Sequence, residues 1–337
     1  MKVKLVIFVA TLVVSILGAC NGSNVNNSNT STRTLRGSSS YTPYDAHAML
    51  WSRGGEGREM VWVGSGGEAG QLLVSTASPN NRPDWIICTQ GVVAGLAARG
   101  ERVVIIGTVY ISDQAILPVF RRPRRPLVGA RSLFIPRSSI EFAFDRLLQR
   151  EGVRREDVRV PNVERVAFTN IASLLAKPVG DQDALDFAIL VDPFITNLVN
   201  ENRDAYEVGQ GGLYEMHYSI VVRESDLRAN RAQFVELLRQ FLEADRRLNA
   251  LTDDNAFYSE VWGRRRDGSP ELMPRLITYR REPARLQLQT GILKQRLREE
   301  LQYLTGKYPE QLRMPDNVDA LVDSSLLEEV ASDRVTR

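Results

Sequence analysis

An α/β protein built on largely parallel sheets is what this sequence predicts, and three observations predict it. From Leu35 onward, apolar runs of strand length alternate with amphipathic stretches of helical length. Small, polar turns such as Gly64-Ser65-Gly66-Gly67 stand at the strand-to-helix junctions. Beyond its first 20 residues the chain keeps roughly 300, enough for one large or two medium units with their own cores. Alternation of this kind places crossover helices between parallel strands.

The N-terminus comes first. Lys2 and Lys4 precede an apolar run from Leu5 to Leu17, and Leu17-Gly18-Ala19-Cys20 follows. A basic start, a short apolar core and small residues before the junction describe an export signal. The apolar run is shorter than the roughly 20 residues a permanent spanning helix needs. Residues 1–20 are therefore read as a signal peptide, and 21–32 as a flexible tether, because Asn, Ser, Thr and Gly dominate there and bury too little to offset ordering entropy.

Arg33 to Arg36 reads as a short first strand that opens into Gly37-Ser38-Ser39-Ser40-Tyr41, with a helix near Tyr44 to Trp51. A strand over Glu59–Val63 and a helix near Glu68–Ser75 follow. The strand Trp85–Cys88 leads through Thr89-Gln90 into a helix that Gly100 ends. Arg102–Tyr110 and Gln114–Phe120 are apolar strands. Arg121-Arg122-Pro123-Arg124-Arg125-Pro126 reads as a solvated connection, since proline and like charges disfavour helix and central strand.

Ser132–Ile135 reads as a strand before a helix at Pro136-Arg137-Ser138-Ser139. Ser138 and Glu141 have capping-box spacing, and Ile140, Phe144, Leu147 and Leu148 share one face up to Gly152. Val158–Val163 is expected as a strand, Thr169–Ala176 as a helix and Ala184–Leu190 as a strand before Asp192-Pro193-Phe194. Met216–Val222 is the returning strand, Ser225–Leu248 one long amphipathic helix, and the rest to about Glu329 mostly helical around Pro270–Pro274.

Composition narrows the function. Lys and Arg total 43 against 41 Asp and Glu, a formal net charge of +2, so nothing points to nucleic acid. Two cysteines and two histidines (His47 and His217, both read as structural) give neither a disulfide framework nor a metal cluster. No Gly-x-Ser-x-Gly elbow, HExxH or Walker loop is present, so neither catalytic residues nor a cofactor are expected. Gly64-Ser65-Gly66-Gly67-Glu68-Ala69 with Asp84 outlines a dinucleotide fingerprint. Asp84, however, precedes the next strand instead of ending it, and Ala77–Pro83 cuts the helix short.

Leu17-Gly18-Ala19-Cys20 resembles the lipobox of bacterial lipoproteins, which implies that Cys20 is acylated and holds the chain to a lipid bilayer at the extracytoplasmic face. The order from Leu35 to Leu248, above all Trp85–Tyr110 and Leu127–Phe194, resembles the nitrate/sulfonate/taurine and thiamine-precursor branch of ABC-importer substrate-binding proteins. The stretches that carry it are Val128-Gly129-Ala130-Arg131, Ile135-Pro136-Arg137-Ser138-Ser139, Glu141-Phe142 and Asp192-Pro193-Phe194. Arg53–Met60 is a weakened version of the family's Gly-rich stretch, and Asp192 replaces its usual Trp or Glu.

The resemblance implies a two-lobed type II periplasmic-binding fold with mixed, mostly parallel sheets and two hinge crossings. Lobe one is expected over 33–121 plus 223–330, lobe two over 122–222, and a tail over 331–337. It also implies a monomer that hands a small-molecule ligand to an ABC transporter permease. A same-fold enzyme of thiamine-precursor or menaquinone type, and a ligand-sensing module for a receptor kinase, are the alternatives. In open α/β sheets, loops at strand carboxyl ends form the binding crevice and helix N-termini point into it. The candidate ligand residues are Ser39, Ser40, Tyr41, Ser65, Thr89, Gln90, Tyr110, Ser138, Ser139, Asp192 and Tyr218. Hydroxyls and helix starts suit an oxyanion; the tyrosines and Asp192 equally suit a heteroaromatic ligand.

Overall fold

The structure is a computed structural model and describes residues 35–40, 43–55, 58–76, 82–161, 167–251, 256–257, 260–261 and 285–337. One five-stranded sheet has the order β2-β1-β3-β9-β4. Its strands are β1 (Arg36–Ser40), β2 (Glu59–Val63), β3 (Trp85–Thr89), β4 (Val103–Ser112) and β9 (Met216–Arg223). β1 lies parallel to β2 and β3, while β9 runs antiparallel to both β3 and β4. Helices α1 (Ala46–Arg53), α2 (Gly66–Val74) and α3 (Gln90–Ala98) connect the parallel strands. All eight residues of β9 are buried, as expected of a strand covered on both faces. β1 carries small residues because Trp85 lies over it: a Cβ on Gly37 would sit 2.3 Å from the indole ring.

A second, four-stranded sheet has the order β6-β7-β5-β8. It is built from β5 (Ile116–Arg121), β6 (Ser132–Leu133), β7 (Phe187–Val191) and β8 (Tyr206–Val208), with α4 (Ser139–Arg150), α5 (Phe168–Ala176) and α6 (Phe194–Glu201) on its connections. The chain passes between the sheets twice, at 113–115 and at 209–215. The two passages touch, the Gly212 N–H donating to the Asp113 carbonyl at 3.0 Å. A Cβ on Gly211 would lie 2.6 Å from that same carbonyl, so the close approach requires glycine there.

Several expectations need correction. β5 pairs with β7 and β8, so the first crossing precedes it and the strand leaves the expected 33–121 segment. Local turn chemistry decides this: the Ser112 hydroxyl accepts the Gln114 N–H at 3.0 Å and bends the chain before the prolines do. Ser38–Ser40 are strand, not an open loop. The long helix expected from Ser225 to Leu248 is two, α7 (Glu224–Ala229) and α8 (Arg231–Ala250), broken at Asn230. Val158–Val163 shows only a single bridge, Arg159 to Arg131, within its described part. The expected 331–337 tail contains β11 (Val335–Thr336), which pairs in parallel with β10 (Leu288–Gln289).

The remaining helices are α9 (Thr290–Lys307) and α10 (Ser325–Ala331). α9 packs chiefly on α3. Ile140, Phe144, Leu147 and Leu148 of α4 are all buried, as their spacing predicts. His47 bonds Asp245 at 2.6 Å and His217 bonds Glu215 at 2.9 Å, both inside the fold. Asp84 receives the Arg36 N–H at 2.8 Å, a structural role far from any dinucleotide site. Among the described residues no helix is long and apolar enough to cross a membrane. Cys20, the signal segment, the tether and Pro270–Pro274 lie outside the described residues.

Candidate ligand cavity

A cavity of about 1140 Å³ is lined from both sheets. The first sheet contributes the ends of β1, β2 and β3 through Ser40, Val63–Glu68, Thr89 and Gly91, and Tyr218 from β9. The second contributes Ile116 at the start of β5, Ile135–Ile140 between β6 and α4, and Val191, Asp192 and Phe194 after β7. Strand carboxyl ends and the helix starts that follow them therefore converge on one space, the arrangement in which open α/β sheets bind ligands.

Two of those helix starts are built alike. Ser65 accepts the Glu68 N–H at 3.2 Å while the Glu68 carboxylate takes the Gly64 N–H at 2.7 Å. Ser138 accepts the Ile140 and Glu141 N–H groups at 3.2 and 3.4 Å, and the Glu141 carboxylate takes the Arg137 N–H at 2.7 Å. Each is a variant of the capping box in which the glutamate takes the N–H one residue before the capping serine. Glu141 is fully buried and also meets Arg155 at 2.8 Å, Lys307 at 3.0 Å and the Tyr308 hydroxyl at 2.7 Å. Burial alone would raise its pKa. The Arg137 N–H, the Tyr308 hydroxyl and Lys307 outweigh that and hold it below the usual carboxylate range.

The floor holds a polar cluster. The Ser40 and Tyr218 hydroxyls are 2.6 Å apart, and the buried Asp45 carboxylate receives hydrogen bonds from Ser39 and, at 3.4 Å, from Ser40. Asp45 stands at the N-cap position of α1 but makes no side-chain cap bond there. Its carboxylate turns to the serines instead.

Of the predicted residues, the cavity gathers Ser40, Ser65, Thr89, Ser138, Ser139, Asp192 and Tyr218. Ser39 does not line it. That residue is wholly buried and hydrogen-bonds Asp45 and the Ile87 carbonyl. Gln90 also turns away, its amide bridging the Glu215 carbonyl at 2.7 Å and the His217 N–H at 2.8 Å. Tyr110 leans on Tyr44, with ring centroids 5.0 Å apart, and stays off the lining. Tyr41 lies outside the described residues. Asp192 is buried and caps the first turn of α6, accepting the Thr196 N–H at 2.9 Å and hydroxyl at 2.7 Å.

Sequence reasoning missed Asp45, Arg99 and Arg137. An aspartate directly before a helix, as in Tyr44-Asp45-Ala46, was the available signal for the first. Arg99, at the C-cap of α3, and Arg137, in the turn before α4, reach the lining from opposite sheets. Burial lowers the pKa of the Arg99 guanidinium; Glu101 opposes that shift and Arg137 adds to it. Among the described residues no group of three His, Cys, Asp or Glu is placed to hold a metal.

Two sheets joined by two crossings, with one cavity at their strand ends, are the architecture of the type II periplasmic-binding fold. The comparisons with solved structures agree. The alkanesulfonate-binding protein SsuA of Xanthomonas axonopodis pv. citri, described bound to MOPS, superposes with a TM-score of 0.63 at 16% identity, over 87% of this chain and 98% of that one. The periplasmic aliphatic sulphonate-binding protein SsuA of Escherichia coli gives 0.59 at 16% identity, over 86% and 99%. The periplasmic nitrate-binding protein NrtA of Synechocystis PCC 6803 gives 0.61 at 12%, over 89% of each. These neighbours belong to the branch that the sequence resembles and are binding proteins. No family model and no curated protein matches the chain.

Proposed function

We propose that this chain is the extracytoplasmic solute-binding lipoprotein of an ABC importer, capturing a small anionic or heteroaromatic ligand and delivering it to the permease. The cavity carries this reading, because strand ends and helix starts from both sheets contribute to it. A ligand touching both sheets favours the form in which they approach, by its differential affinity for the closed and open states. The lobes are proposed to divide at the crossings 113–115 and 209–215, which act as the hinge. Ser40, Thr89, Ser139 and Tyr218 are the hydroxyls proposed to meet the ligand. Ser65 and Ser138 act by fixing helix starts whose N–H groups face it, and Asp192 holds the α6 turn.

Cys20 is proposed as the acylated residue and 21–32 as the tether, which sets the protein on the outer face of a membrane as a monomer. The fold neighbours described as sulfonate- and nitrate-binding proteins support an oxyanion ligand over a heteroaromatic one. A thermal-shift screen across sulfonates, nitrate, pyrimidines and flavins tests the reading. Bound ligand raises the unfolding temperature by mass action, so at least one class is expected to raise it in a concentration-dependent way. A flat response across all four classes contradicts the proposal.

A further inference from the structure

We propose that Arg99 and Arg137 form a two-sided clamp in the cavity lining that selects an oxyanion head group on an apolar body. The inference deepens the solute-binding reading above and rests on it. Arg99, at the end of the helix after β3, and Arg137, in the turn after β6, line one cavity from opposite sheets, close enough for the Arg137 charge to act on Arg99. Among the described residues neither has a carboxylate within ion-pair distance, whereas Arg124, Arg155, Arg223 and Arg296 all do. Like charges on facing walls resist approach of the sheets. An oxyanion between them removes the repulsion and accepts paired N–H donors from each side.

The backbone at Arg137 supplies a second, independent observation. Its φ is 56°, and it is the one non-glycine residue with positive φ among the described residues. That conformation is costly for a residue with a Cβ, and a glycine or asparagine would hold the same turn more easily. Two contacts maintain it: the Arg137 N–H on Glu141, and the guanidinium 5.2 Å from the centre of the Tyr308 ring. Strain held in this way at a ligand cavity fits a side chain kept for what it does there.

The acidic residues on the same lining are turned to partners of their own: Glu68 accepts the Gly64 N–H, and Asp192 accepts the Thr196 N–H and hydroxyl. Glu101 stands near Arg99 and tempers its field without forming an ion pair. On the same lining, Leu72, Val92, Ile116, Phe168, Phe194 and Met216 offer apolar surface to a ligand body.

The test compares hexane-1-sulfonate, hexanoate and neutral hexan-1-ol by calorimetry on the wild-type protein, Arg99→Gln, Arg137→Gly and Glu101→Gln. Wild type is expected to prefer the two anions over the alcohol by at least tenfold. Both arginine variants should lose at least tenfold in anion affinity with the alcohol unaffected, and Glu101→Gln should gain. Arg137→Gly should at the same time unfold at a higher temperature, because it relieves the left-handed strain; a merely structural arginine would not show this split. Arg99→Gln, at an exposed helix end, keeps the test valid if the other variant folds poorly. Anion affinities within twofold of wild type in both arginine variants, or an alcohol bound as tightly as the sulfonate, overturn the clamp and leave solute binding standing. No binding by any probe, together with a flat thermal-shift panel, overturns both.

Discussion

The starts of α2 and α4 use the same four-residue device and carry different loads. Ser65-Gly66-Gly67-Glu68 closes its box at the surface, with Glu68 exposed and, among the described residues, engaged only with the backbone and cap of its own turn. Ser138-Ser139-Ile140-Glu141 closes the same box over a fully buried Glu141, which Arg155, Lys307 and Tyr308 also hold. Lys307 and Tyr308 lie at the end of α9, which packs on α3 of the first sheet. The Ser138 hydroxyl further donates to the Ile135 carbonyl at 2.6 Å. A shared local motif therefore fixes the hydrogen-bond pattern, while long-range partners decide how firmly each wall of the cavity is held. The α4 wall is braced and the α2 wall is not.

The largest expected effect is at Glu141. Glu141→Gln removes the buried charge that Arg155 and Lys307 share, leaving them Asp145 as their remaining carboxylate, and should cost about 3 kcal/mol in urea unfolding at neutral pH. Because the folded pKa of Glu141 is lowered, the stability it brings is present above the ordinary carboxylate pKa and is lost as pH falls through the lower folded value. Wild type should therefore lose stability on acidification more steeply than the variant.

A second buried carboxyl stands on α9. Tyr214 donates to Glu300 at 2.6 Å, and burial pushes the Glu300 carboxyl up to about 8. A raised folded pKa gives stability that is complete below the ordinary carboxyl value and falls as pH rises towards 8. Thermal unfolding across that range should show a decline of several kcal/mol in wild type, which Glu300→Gln flattens. A wild-type profile already flat over that window would show that burial does not hold Glu300 protonated.

Smaller effects sharpen the contrast. Ser138→Ala should cost about 1.5 kcal/mol and Ser65→Ala about 0.5 kcal/mol in chemical unfolding, the two ends of the usual capping range. Equal costs would mean that the long-range partners add nothing to the second box. Ser138→Asp keeps a capping oxygen but adds negative charge to the cavity wall, so folding should hold while calorimetry shows weaker binding of an anion.

Much of this was legible in the sequence where local chemistry decides. Ile140, Phe144, Leu147 and Leu148 announced a helical face, Ser138 and Glu141 its cap, and the apolar run of β9 a covered strand. Ser65 and Glu68 have the same spacing, but the glycines between them masked a capping box as turn chemistry. What stayed hidden depends on partners far along the chain. Asp45 meets Tyr218 across 173 positions of sequence, and Arg99 and Arg137 become a pair only when the two sheets face each other. Ser39 and Gln90 looked like ligand loops because their types are polar. Their real partners, Asp45 and the His217 backbone, are set by strand pairing and helix packing.

Both helix starts are proposed to serve one ligand site, which amide hydrogen exchange at Gly66–Glu68 and Ser139–Glu141, with and without saturating hexane-1-sulfonate, can read out. Both segments should slow together and with the same concentration dependence. Protection of only one, or of neither while the sulfonate is bound, would contradict it.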